Sequence, residues 1–261
     1  MKTSVVTITP NMSKSFLMAN TKNRPINRKN VLLLAKEMRN NRWKLNGDTI
    51  KICKEGYVID GQHRFLACVE SGIPFETVLI EGLDFNVFDT IDTGLHRSAA
   101  NTLSLRGEIN TTRLASALVV VDKYMTSRVH QNLRYTNTEV EELLKKYPEV
   151  RESVRKTAET KRLISPSVLT ACHYLFSLKD ADAADKFVND LIMGRDLQEG
   201  DPVYFLRERL INNMLSKAKL QSHYIMGLLI KAWNFRRQNK NIKNLRFNMD
   251  GEKPEMFPVV L

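Results

Sequence analysis

The sequence predicts an α+β protein in two parts, a small mixed-sheet domain over residues 1–97 and an all-helical domain over residues 98–261. Three observations predict it. Residues 48–53 alternate apolar and polar side chains with period two, Ile50 and Ile52 on either side of Lys51. A turn, Asp60-Gly61-Gln62-His63-Arg64, stands between a second apolar run, Tyr57-Val58-Ile59, and a segment with helical spacing. From Asn101 onward, apolar residues recur at helical intervals.

In chain order, Val5–Ile8 reads as a short strand, followed by a polar, Asn-rich, basic stretch to Asn30. Asn30 then serves as N-cap for a helix over Val31–Asn41, with Leu33, Leu34 and Met38 on one face. Asp48–Cys53 is a half-buried strand, Glu55-Gly56 a turn, and Tyr57–Ile59 the returning strand. A helix runs from Gln62 to Ser71 with Phe65, Leu66 and Val69 inward; Gly72 ends it and Pro74 follows. Glu76–Glu81 is a further strand, which Gly82 breaks. The helical part divides into Arg113–Met125, Thr138–Lys146, Pro148–Lys161, Ser165–Leu178, Asp182–Met193, Pro202–Lys217 and Ser222–Arg237. Thr136 or Thr138 with Glu141, Pro148, and Ser165-Pro166 supply start signals.

Composition narrows the classes. With 43% hydrophobic and 26% charged residues over 261 positions, the chain buries a core without disulfides or metal. Its three cysteines, Cys53, Cys68 and Cys172, lack C-x-x-C spacing, so a disulfide framework and a structural zinc are not expected and a reducing cytoplasm fits. Met1–Pro10 has no apolar run behind basic residues, as a signal peptide would, and no stretch reaches the length of a membrane span. The net charge of +11 is concentrated. Ten basic residues lie between Lys14 and Lys51 against only Glu37 and Asp48, and the block Lys231, Arg236, Arg237, Lys240, Lys243, Arg246 contains no acid. Two such blocks point to a polyanionic partner, with simple solubility as the plain alternative.

The Asp60–Arg64 turn leaves a strand and opens a helix, which presents backbone N–H groups and the positive end of the helix dipole to an anion. Gly61 allows close backbone approach, Gln62 sits in the turn, Arg64 forks onto phosphate oxygens and His63 adds a donor. Asp60 is either the N-cap of that helix or a carboxylate reaching a metal that accompanies the phosphate. The plain alternative is a capped helix in which Arg64 and Asp60 pair with each other.

These residues carry a resemblance. Leu33–Glu37, Gly47–Ile52 and Tyr57–Arg64, followed by Ala67 and Gly72, resemble the N-terminal domain of ParB-like proteins over about residues 28–82. Their superfamily also holds sulfiredoxin and a free-serine kinase. The resemblance implies a ParB/sulfiredoxin-like α+β fold whose Gly-x-x-Arg turn takes the phosphates of a nucleoside triphosphate, ATP or CTP, with Mg²⁺. Gly61, His63 and Arg64 would then contact phosphates, and Glu37 occupies a helix position where some members carry a functional glutamate; a solvated charge between Lys36 and Arg39 is its other reading. Two departures matter. Gln62 stands where sulfiredoxin needs cysteine, so sulfinic-acid repair is not expected, and the helix-turn-helix pattern of partition-type members is not found.

A second turn, Asp89-Thr90-Ile91-Asp92-Thr93-Gly94-Leu95-His96-Arg97-Ser98, is similar in type. Asp92 is there as a base or metal ligand and Arg97 as a second phosphate contact; an Asx-turn with Ser98 capping the next helix is the alternative. Trp43 beside Arg39 and Arg42 reads as a base-stacking or a packing residue, and His130, His173 and His223 stand singly. The segment Trp233–Arg246, with Arg236, Arg237, Lys240, Lys243 and Arg246, either follows a nucleic-acid backbone or folds back over the first domain. The expectation is a nucleotide-binding protein acting on or with nucleic acid, DNA favoured, with NTP hydrolysis left open and Glu37, Asp60 and Asp92 as candidate bases. A phosphotransfer enzyme, a nuclease and a non-catalytic protein-binding adaptor remain alternatives, and assembly into a homo-oligomer stays open.

Overall fold

A computed structural model describes residues 1–20, 23, 25–84, 87, 98–159, 163–249 and 254–261. It is a mixed α+β structure with one four-stranded sheet and eleven helices among the described residues. The chain divides into two compact units, Met1–His96 and Arg97–Leu261.

In the first unit, β1 (Lys2–Ile8), α1 (Pro10–Met18) and α2 (Arg28–Arg39) precede β2 (Thr49–Cys53), β3 (Val58–Asp60), α3 (Gln62–Ser71) and β4 (Phe75–Leu83). The sheet order is β1-β4-β2-β3, with β2 parallel to β4 and the other pairs antiparallel. Alternation decides the faces: Ile50 and Ile52 of β2, and Phe75 and Leu79 of β4, are buried with Val31, Ala35 and Met38 of α2 and Phe65 and Cys68 of α3. Phe16 of α1 stacks on Phe65, with ring centroids 5.0 Å apart. Gly72, at φ 73°, ends α3 by donating its N–H to the Cys68 carbonyl.

Several boundaries differ from expectation for identifiable reasons. The helix α1 lies in the stretch read as polar; Thr9 caps it by accepting the Met12 N–H at 3.2 Å, and Pro10 stands at its first turn. Helix α2 begins at Arg28, because Asn27 is the N-cap and accepts the Asn30 N–H at 3.2 Å. Its first turn is polar, so apolar spacing cannot announce it. Strand β4 runs past Gly82 to Leu83, which pairs with Cys53 and accepts the Lys54 N–H at 2.9 Å.

The second unit contains α4 (Ala99–Leu105), α5 (Thr111–Met125), α6 (Asn137–Lys146), α7 (Val150–Lys156), α8 (Pro166–Ser177), α9 (Ala181–Met193), α10 (Pro202–Leu215) and α11 (Ser222–Arg237). Ser98 caps α4 by accepting the Asn101 N–H at 3.2 Å. A capping box opens α6, but the partner of Thr136 is Glu139 rather than Glu141. Helix α7 stops at Lys156, five residues short of expectation, where the Thr157 hydroxyl bonds to the Ser153 carbonyl and to Thr170. Every residue of Val168–Phe176 in α8 is buried, so this helix is the centre of the unit. Trp233 of α11 stacks on Phe176 at 4.4 Å, and Phe187 of α9 closes the cluster edge-on. Leu245 and Phe247, beyond α11, are buried in this same core.

Replacing Trp233 with Ala empties the middle of this stack and should lower the unfolding free energy by about 3–5 kcal/mol. A denaturant titration checks it; a loss below about 1 kcal/mol would mean that α8 and α11 are held by other contacts.

Candidate functional site

The Asp60–Arg64 turn is built on one glycine. Gly61 has φ 108° and ψ 1°, a left-handed conformation at the N-cap of α3. A Cβ at this position would lie 2.8 Å from Cγ1 of Ile50, so the backbone rests directly on the β2 side chain. The Gly61 carbonyl accepts the N–H groups of Arg64 and Phe65 at 2.9 and 3.0 Å. No side chain caps α3, so Asp60 is not its N-cap.

The Asp60 carboxylate is instead the centre of an ion cluster. Its Oδ2 accepts hydrogen bonds from Lys51 Nζ at 3.2 Å and Arg64 Nη2 at 3.1 Å. All three side chains are partly enclosed, at 25% exposure for Lys51, 21% for Asp60 and 14% for Arg64. Arg64 Nη2 also donates to the Thr49 carbonyl at 2.7 Å, whereas Nη1 is buried and makes no hydrogen bond. Leaving such a donor unsatisfied costs about 1–3 kcal/mol.

Lys51 was not among the site residues expected from sequence, and the reason is a β-bulge. Ile52 pairs with Val58, and continuing that register would set Lys51 opposite Ile59. The register shifts between Lys51 and Ile52, which sets Lys51 opposite Asp60. The alternation around Lys51 was the available signal; the bulge that aims it was not.

Gln62 and His63 are buried and face the chain between α1 and α2. The Gln62 Oε1 accepts from Asn20 Nδ2 at 2.6 Å, and His63 Nε2 accepts the Asn27 backbone N–H at 2.9 Å. The second bond places the proton of a neutral His63 ring on Nδ1. Asn23 adds a bond to the Val58 carbonyl at 2.9 Å. These two side chains of the turn therefore fasten the Asn-rich segment.

The remaining expected residues are distributed as follows. Glu37 lies on α2 with Arg42 Nη1 3.5 Å away. Asp89, Asp92, Gly94, His96 and Arg97 lie outside the described residues. In the basic block, Arg236 pairs with Asp190, and Arg237 pairs with Asp180 while lying 5.6 Å from the Trp233 ring centroid. Lys240, Lys243 and Arg246 are exposed. Trp43 is a packing residue: its indole N–H donates to the Glu76 carbonyl at 2.9 Å and its ring meets Phe75 edge-on. Among the described residues, no group of three or more His, Cys, Asp or Glu is arranged to hold a metal ion.

One constellation was missed by reading the three histidines singly. His173 bridges Ser153 Oγ at 2.9 Å and Asp185 Oδ1 at 2.8 Å. Burial would raise the Asp185 carboxyl, but the hydrogen bonds from Lys156 and His173 outweigh it and hold that group below its ordinary value. The order is the reverse of a hydrolase triad, since the serine is buried and the carboxylate lines a cavity of about 440 Å³. Ser153 has no access to a substrate there, and the chain ties α7, α8 and α9 together.

Comparison of the chain with protein-family models, with curated proteins and with solved structures gives no match.

His63→Ala removes the acceptor of the Asn27 N–H at the start of α2 and should destabilise the first unit by about 1–3 kcal/mol. Thermal unfolding checks it; an unshifted transition would show that the bond contributes nothing to holding the segment.

Proposed function

We propose that the first unit is a ParB-like phosphate-binding domain that takes a nucleoside triphosphate at the Asp60–Arg64 turn, and that the protein works on or with nucleic acid. The observation that carries this reading is the unsatisfied half of the Arg64 guanidinium. Its Nη1 is buried with no hydrogen bond, beside a helix start that no side chain caps. A phosphate oxygen at the turn would give that fork a charge-assisted partner, and the backbone at the head of α3 would add the positive end of the helix dipole. Gly61 supports the reading by allowing the left-handed turn that starts α3 directly against Ile50. The resemblance of residues 28–82 to ParB-like domains, carried in part by this same turn, points the same way.

Lys240, Lys243 and Arg246 support the nucleic-acid part, because they are exposed on one segment beyond α11. Arg236 and Arg237 contribute less to it, since their charges are already balanced by Asp190 and Asp180. The phosphate contacts would be backbone contacts without base readout.

Arg64→Ala should weaken binding of ATP or CTP about ten-fold or more, the equivalent of one charge-assisted contact. Calorimetry on a variant with a cooperative melting curve checks it. Unchanged affinity would leave the turn a structural brace, as its bonds to Thr49, Asn20 and Asn27 also permit. Separately, replacing Lys240, Lys243 and Arg246 with Ala should flatten the slope of log affinity against log salt for duplex DNA by roughly 0.9 per lost phosphate contact. An identical slope would exclude this segment from the interface.

A further inference from the structure

We infer that Lys51 is a direct phosphate-binding residue, and that Asp60 positions Lys51 and Arg64 for an anion instead of holding a divalent ion. This inference rests on the phosphate-binding reading of the turn and specifies how the turn would do it.

Asp60 Oδ2 accepts from both Lys51 Nζ and Arg64 Nη2, at 3.2 and 3.1 Å. Two cations held on one oxygen are neighbours, and the single charge of the carboxylate between them offsets only part of their positive charge. Counting these three groups alone, two positive charges against one negative leave a surplus of one. A divalent cation on Asp60 would therefore enter a cluster that is already positive, and would have to displace Lys51 or Arg64 from that oxygen. A phosphate meets the opposite situation: it neutralises the surplus and shares both donors with the carboxylate.

Lys51 is placed for this by the fold rather than by the flexibility of its side chain. The bulge sets it opposite Asp60, its neighbours Ile50 and Ile52 anchor the strand in the core, and its side chain keeps a quarter of its surface exposed. Arg64, by contrast, is more enclosed and is also tied to the Thr49 carbonyl. The division of labour follows. Arg64 fixes the site, and Lys51, the more exposed of the two, presents its ammonium to the ligand.

Titration of the full chain with inorganic triphosphate, once with EDTA and once with Mg²⁺, tests this. The expected result is binding in EDTA at least as tight as in Mg²⁺, weakened about ten-fold by Lys51→Ala, together with ligand protection of Lys51 from amine acetylation. A structural ion pair alone would give no such protection. Binding that requires Mg²⁺ and is lost in Asp60→Asn, with Lys51→Ala unchanged, overturns the inference and leaves the turn as a metal-assisted phosphate site. Absence of binding under both conditions overturns the phosphate-binding reading itself.

Discussion

The contact between the Gly61 backbone and the Ile50 side chain is the constraint on which the rest of the first unit depends. Only glycine fits this approach, and with it the chain leaves β3 in a left-handed conformation and starts α3 at once. That geometry places Arg64 four residues after Asp60, within reach of both its carboxylate and the Thr49 carbonyl on β2. Because Ile50 belongs to the buried face of β2, Lys51 is directed to the other face, where the bulge brings it to Asp60. A core contact thus determines which charged groups assemble. On the far side of the turn, Gln62 and His63 hold the Asn-rich segment, so the site and the packing of α1 and α2 share five consecutive residues.

Much of this was legible in the sequence where one residue acts through its own backbone. Gly72 ends helix α3, which falls on Gln62–Ser71 as its spacing indicates, whereas the left-handed conformation of Gly61 is seen only in the structure. The period-two pattern gave β2 to within a residue, and most of the long helices begin and end within a few residues of their apolar spacing. What escaped were features that depend on a second segment. The bulge beside Lys51 is a property of a strand pair, and α1 and the first turn of α2 expose mostly polar side chains, so neither writes an apolar period.

The charged residues make the same point. In the sequence, Arg236 and Arg237 stand in a block without acids, which reads as a surface for a polyanion. In space, Asp190 of α9 and Asp180, the N-cap of that helix, lie against them, 46 and 57 positions away along the chain. Only the exposed Lys240, Lys243 and Arg246 keep the character that the linear count suggested. Likewise His173, isolated in sequence, joins Ser153 and Asp185 in a bridge that links three helices. Linear charge density overstates a binding surface wherever helices pack with acids facing bases.

Hydrogen–deuterium exchange of the full chain with and without ATP or CTP tests the central claim most directly, because it locates the ligand without altering a residue. A phosphate held by Lys51 and Arg64 should slow exchange in β2 and at the head of α3, over residues 49–52 and 61–65. Protection confined to the second unit, or no change anywhere at saturating nucleotide, would contradict the account.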